Sequence, residues 1–332
     1  MASAAIGALL SRWTMQRDDD DLGQAAQAGR LISHGSDDQD DAALLASLTS
    51  RLRQSGDRPD AVVQRLLGLV DALWATEFGR FLLRHRGLNA YWTHRLVTYR
   101  ADAPPNESMS TMERHIFEEA PAVLATRERF GIFQQQLQEL LRPGMTLASV
   151  PCGWMGELLL LDYRECPDVR LIGIDLDPQA LEGALHLARA RGLEGQLSLR
   201  LQDAWTSGAG DRVDVLTSNG LNIYEPDDER VIALYRAFFQ RLAPGGVLVA
   251  SFLTPPPTLS AESPWKLEHI DPEALTLQNL VFAEIVQARW ASFRTHAQTR
   301  AQLESAGFTD LRFIDDRASI FPTVVARRPA AR

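Results

Sequence analysis

The residues of this chain best suited to chemistry stand at the ends of short apolar runs. "TLASV" leads into Pro151, Cys152 and Gly153, and "VRLIGID" ends in Asp175 with Leu176 behind it. "QLSLRL" is followed by Asp203, Ala204 and Trp205, and "VDVLTS" by Asn219 and Gly220. A carboxylate at Asp175, 22 positions after Gly153, can accept from both hydroxyls of a ribose. Beyond the third run, an acid can accept an amino proton of adenine, a backbone N–H can reach a ring nitrogen, and an indole can stack. A small-residue turn that leads into a helix presents N–H groups to a polar or anionic ligand.

Such residues act together only if the runs are neighbouring strands. From Gly144 onward the rhythm is strand, turn, helix, repeated: "GELLLLDYREC", "PQALEGALHLARARG" and "DDERVIALYRAFFQRLAPGG" read as helices between the runs. "VLVASFL" is a fully apolar strand, and a helix "THAQTRAQLESAG" precedes two last strands, "DLRFI" and "PTVVA". The pattern predicts an α/β fold with a mostly parallel sheet covered on both faces and one antiparallel edge strand. In such sheets the ligand lies beyond the carboxyl ends of the strands, where the four clusters fall.

Upstream, the expectation is different. Residues 1–56 contain "RDDDDLGQ" and "HGSDDQDDA" and read as a mobile or weakly helical acidic leader. Residues 57–142 show apolar residues at helical spacing and no convincing strand, which predicts a helical cap; residues 143–332 form the strand-bearing unit. "RGLNAYWTHRL" is the most site-like stretch of the cap, with Asn89, Tyr91, Trp92 and His94 close together. Tyr91 is a candidate because an aromatic face attracts a cation. The Pro-rich connection "SFLTPPPTLSAESPWKLEHID", with the chain's single lysine, Lys266, is a candidate lid.

"GIDLDPQAL", "QDAW", "TSNGLNIYEP" and "LAPGGVLVASF" resemble, in order and spacing, successive motifs of the class I S-adenosylmethionine-dependent methyltransferases of small molecules. The resemblance covers about residues 140–328. It implies a Rossmann-like sheet and S-adenosylmethionine as cofactor. It places the ribose at Asp175 and Leu176, adenine at Asp203, Ala204 and Trp205, and the methionine moiety at Pro151, Cys152 and Gly153, with Asn219 bordering the reacting methyl. Asn219, Asn222 and Tyr224 are then candidates for positioning the acceptor. A nicotinamide dinucleotide fits poorly, because the loop has only Gly153 and Gly156 with Trp154 and Met155 between them.

The chain departs from that family at Ser149 and Pro151, where an acid two residues before the first glycine commonly helps fix the methionine ammonium. Either another group holds the ammonium, or the amine is kept neutral because it reacts. Two activities therefore stay open. One is methyl transfer to a small acceptor; the other is closure of S-adenosylmethionine on itself to azetidine-2-carboxylate with release of methylthioadenosine. A non-catalytic binder fits less well with Asp175 and Asp203 both present.

Composition narrows the partners. A net charge of −9 argues against nucleic acid. Two cysteines and seven scattered histidines show no metal-ligand spacing, so no metal is expected. No apolar run approaches the roughly 20 residues of a membrane span, and "AAIGALL" is too short for a signal core, which predicts a cytoplasmic protein with a small-molecule substrate.

Overall fold

The computed structural model describes residues 40–54, 58–101, 109–208, 210–288 and 292–331. Both acidic runs of the expected leader lie largely outside them. Seven strands form one sheet: β1 Thr146–Ser149, β2 Arg170–Asp175, β3 Leu197–Leu201, β4 Val213–Ser218, β5 Leu242–Ser251, β6 Thr309–Ile314 and β7 Thr323–Arg327. Their order is β3-β2-β1-β4-β5-β7-β6. β1 to β5 pair in parallel, while β7 runs antiparallel to both β5 and β6. This is the Rossmann-like sheet expected; its one antiparallel strand lies at the β6 end, with β6 outermost.

Side-chain alternation explains how the sheet is covered twice. Leu147, Leu171, Val215 and Val249 face one apolar cluster with Phe133, Leu137 and Leu158. Ala148, Ile172, Leu216 and Leu248 face the other, with Leu234, Phe238 and Phe308. Successive residues of a strand point to opposite faces, so each central strand needs apolar residues at every position. The order reverses at β1, which has β2 on one side and β4 on the other. A crevice opens there beyond the carboxyl ends.

The helical layer is built from α1 Asp41–Gln54, α2 Asp60–Trp74, α3 Glu77–His85, α4 Ala90–Thr98, α5 Thr111–Glu118 and α6 Pro121–Leu140. Within the expected mobile or weakly helical leader, residues 41–54 form a helix. Leu44, Leu48 and Leu52, four apart, bury one stripe of α1 against Leu66, Leu73, Phe78 and Trp92. The same core takes in Leu280, Val281, Phe282 and Ile285, from a π-helical turn Leu280–Ile285 that continues α10 Pro272–Asn279. Arg51 donates to the carbonyls of Glu284 and Ile285 at 2.8 and 2.6 Å, and Arg58 pairs with Glu284 at 2.5 Å. The cap is therefore assembled from two distant parts of the chain.

The remaining helices are α7 Gly156–Leu159, α8 Pro178–Ala190, α9 Asp228–Arg241 and α11 His296–Ser305. α7 is far shorter than "GELLLLDYREC" suggested. After one turn the chain leaves the helix so that Leu161, Tyr163 and Cys166 can all enter the same core, and Tyr163 Oη donates to the Leu158 carbonyl at 2.9 Å. No helix among the described residues is long and apolar enough to cross a membrane.

Candidate functional site

The crevice at the switch point is a cavity of about 300 Å³, roofed by α4, α6 and Phe282. Its floor begins with the loop after β1. The Val150–Pro151 peptide is cis, and Cys152 N–H donates to Ile174 O at 2.9 Å, which joins the loop to β2. Gly153 and Met155 both take left-handed backbone (φ 50° and 57°), and Met155 N–H closes the turn on Cys152 O at 2.7 Å. Gly153 N–H donates to Asp175 Oδ2 at 2.8 Å, and Asp177 N–H to Oδ1 at 3.0 Å. The carboxylate is thereby fixed at the cavity edge, and burial raises its pKa.

Nine of the twelve residues expected at the site line this one cavity: Pro151, Gly153, Asp175, Leu176, Asp203, Ala204, Trp205, Asn219 and Tyr224. Asp203 caps the turn Ala204–Thr206 by accepting from Trp205 N–H at 2.9 Å. The Trp205 indole is pinned, its N–H donating to Arg230 O at 2.9 Å and its ring lying 5.1 Å from the Arg230 guanidinium. Asn219 stands beyond β4 with a buried Oδ1 that has no hydrogen-bond partner. Burial pushes the Tyr224 phenol up to about 12, so it is a donor at neutral pH and not a base.

Three expected residues do not reach the cavity. Asn222 is 3% exposed and donates from Nδ2 to Tyr235 Oη at 2.9 Å, while its carbonyl accepts from Arg294 at 2.9 Å; it holds the turn Leu221–Tyr224. The Cys152 side chain lies behind the loop, and burial raises its thiol well above the usual range. Tyr91 packs on Trp92 and Trp154, with ring centroids 4.9 and 5.6 Å away, and its hydroxyl accepts from Arg95 at 3.0 Å. Its part is to back Trp154, which does line the cavity. The Pro-rich connection at 251–271 also sends no side chain into the lining, and Lys266 is exposed.

The cavity brings in two residues that sequence reasoning missed, Glu157 and Arg129, together with His94 from the site-like stretch of the cap. Glu157, in the first turn of α7, is 4% exposed. Its Oε1 accepts from Ser149 Oγ at 2.5 Å and Thr217 Oγ1 at 2.9 Å, and burial raises its pKa. Arg129 enters from α6, 7% exposed, its Nη1 donating to Ser251 Oγ at 3.1 Å. His94, from α4, stacks on Trp154 at 5.0 Å, and burial lowers its pKa to about 4, so it is neutral. Arg129 had a legible signal, since it lies on the buried i, i+4 stripe Ala125, Phe133, Leu137 of α6. Among the described residues no three His, Cys, Asp or Glu side chains converge as a metal site.

No family model matches the chain. No curated protein matches it either. Among solved structures, the magnesium protoporphyrin IX methyltransferase of Synechocystis PCC 6803, crystallised with bound SAH, shares 15% identity over 72% of this chain and 94% of that one, at a TM-score of 0.48. A possible exported protein from Bordetella parapertussis is 54% identical over 95% of this chain and all of that one, with a TM-score of 0.83. Identity at that level over almost the whole length makes this chain a member of the same family as the Bordetella parapertussis protein.

Proposed function

We propose that the protein is an S-adenosylmethionine-dependent enzyme that transfers a methyl group to a small acceptor. The observation that carries this reading is the set of residues after β1, β2, β3 and β4 facing one cavity at the switch point. Asp175, anchored by Gly153 and Asp177, suits two ribose hydroxyls. Asp203 and the Ala204 N–H suit an adenine edge, and Trp205 its face. Glu157 supplies the acid that β1 lacks: its carboxylate sits against Ser149 itself. An ammonium brought there gains a charged acceptor in a site that excludes water. A pyrophosphate would find Trp154 and a buried carboxylate in its way.

When bound, the cofactor would supply an activated methyl: the acceptor's lone pair would take the carbon, the S–CH₃ electron pair would stay on sulfur, and the acceptor's proton would leave to solvent as the product departs. The protein's share is alignment and exclusion of water. Asn219 Oδ1 is free to accept from the acceptor's N–H or O–H. Tyr224 donates, and α4, α6 and Phe282 close the roof. The helical layer thus serves as the substrate-covering cap. Both cysteines are free, which suits a reducing, cytoplasmic setting.

A second reading, closure of S-adenosylmethionine to azetidine-2-carboxylate, draws support from Glu157. A buried carboxyl with raised proton affinity can take the proton of the α-amine and leave it nucleophilic. Mass spectrometry after incubation with S-adenosylmethionine alone separates the two. Under the methyl-transfer reading the cofactor stays intact and becomes S-adenosylhomocysteine only when an acceptor is added. Stoichiometric methylthioadenosine and a four-membered imino acid would establish the second reading instead.

A further inference from the structure

Arg129 is a buried cation with most of its hydrogen-bonding capacity unused. Its side chain lies in the cavity lining, 5.0 Å above the Phe321 ring, and its Nη1 donates to the neutral Ser251 hydroxyl. Nε is buried and has no partner. No carboxylate among the described residues pairs with it within 4 Å. Asp316, which acts on it most strongly through space, is held by the backbone N–H groups of Ala318, Ile320 and Phe321 at 3.1, 3.2 and 2.6 Å. Burial lowers the Arg129 pKa to about 10, so the group stays charged at neutral pH.

An unpaired guanidinium is costly to bury, and it is tolerated where a ligand completes it. Three features define that ligand. The fork geometry of arginine suits a planar carboxylate. Arg129 is the only Arg or Lys among the lining residues, and a phosphate dianion calls for more positive charge than one side chain brings. Position decides the rest. Arg129 reaches the ends of β4 and β5, by Ser251 and close to Gly220, whereas Asp175 and Asp203 stand at β2 and β3 on the opposite side of β1. Asn219, with its unsatisfied Oδ1, follows β4 on the Arg129 side.

We propose that the acceptor is a small carboxylic acid, its carboxylate on Arg129 and its reacting N–H or O–H on Asn219 Oδ1. This substrate class, an amino or hydroxy acid in chemical terms, rests on the methyl-transfer reading above. The apolar side chains of Phe130, Phe282 and Phe321 cover the remaining walls, so the acid's body is small and largely apolar.

The test uses the full chain, acetate as the carboxylate probe and chloride at equal ionic strength as the reference, with and without S-adenosylhomocysteine. Acetate should raise the Tm of the wild type saturably, by about 2 °C at roughly ten times its Kd. Arg129→Gln should lose that rise yet bind S-adenosylhomocysteine as the wild type does, and Arg129→Lys should keep part of it. No acetate effect on the wild type, or an equal effect on Arg129→Gln, overturns the proposal. So does a loss of S-adenosylmethionine affinity in Arg129→Gln that is absent with decarboxylated S-adenosylmethionine, because the arginine then serves the cofactor's own carboxylate. Failure of the wild type to bind S-adenosylhomocysteine would sink the cofactor reading alone, since the acetate arm without it still reports on Arg129.

Discussion

Replacing Asp175 by alanine separates the cofactor reading from every structural role of the loop. The carboxylate now accepts from Gly153 N–H at 2.8 Å and Asp177 N–H at 3.0 Å, which leaves further lone pairs for a ligand. Two ribose hydroxyls donating to a carboxylate contribute about 1.5 kcal/mol each at the low end for charged hydrogen bonds. Losing both costs about 3 kcal/mol, or roughly 150-fold in Kd. Loss of the two N–H contacts acts on folding, by about 1–2 kcal/mol, and shows as a lower Tm without ligand. Asp175→Asn keeps an acceptor oxygen but not the charge and should lie between, at about tenfold. Calorimetric titration with S-adenosylhomocysteine reads the affinity, and thermal unfolding of the free protein reads the fold. A Kd for Asp175→Ala within about threefold of wild type refutes the placement of the ribose, whatever happens to the Tm.

Three further outcomes follow from the geometry. Asn222→Ala should lower stability by about 1–2 kcal/mol, because Tyr235 Oη loses its buried donor, while S-adenosylhomocysteine binds unchanged; urea unfolding and titration check the two halves. His94 has a folded-state pKa of about 4 against an ordinary 6.5, so the unfolded chain takes up a proton that the folded one refuses. Its contribution is full above about pH 6.5 and is lost as pH falls towards 4, by up to about 3 kcal/mol; His94→Gln should flatten that part of the urea-derived stability profile. Gly183→Ala would put a methyl 1.9 Å from Trp154 Nε1. It should push the indole off α8, shift tryptophan emission and cost roughly 1 kcal/mol of stability as the His94 and Tyr91 ring contacts loosen.

What could be read in advance follows from how local each signal is. β1, β2, β4 and β5 were legible because central parallel strands are apolar on both faces, the edge strand β3 because its leucines alternate with polar residues, and Asp175 because it ends an apolar run. α1 was legible only as a weakly helical part of the leader, because acidic residues around it outweighed a three-leucine stripe that only Leu66, Phe78 and Trp92 make meaningful. α7 was overdrawn because four consecutive leucines fit a helix equally well; the departure at Leu160 depends on a core assembled from α6, α8 and the sheet. The same limit applies to the site. Asn222 carries the right chemistry at the right spacing, yet a tyrosine 13 residues away claims its amide. Glu157 precedes four consecutive leucines, where a charge normally points outward, and only packing turns it in; Arg129 was legible on its buried i, i+4 stripe.

The surroundings of Ser149 follow from that packing. β1 and β4 are in register at Ser149 and Thr217, so two hydroxyls stand side by side at the switch point. Both donate to one oxygen of Glu157, eight residues further on. This carboxylate stands on a helix and not on the strand, and its setting follows from that. A carboxylate surrounded by Leu158, Met155 and the strand ends is desolvated, and its pKa rises accordingly. Arg129, in the lining of the same cavity, is desolvated too, and each charge favours the ionised form of the other. They do not meet as an ion pair. Opposite charges fixed unpaired in one lining attract a positive group to one and a negative group to the other, with little reorganisation of the protein. In the proposed methyl transfer the cofactor's ammonium answers Glu157 and the acceptor's carboxylate answers Arg129, so each reactant has its own charge partner before the methyl moves.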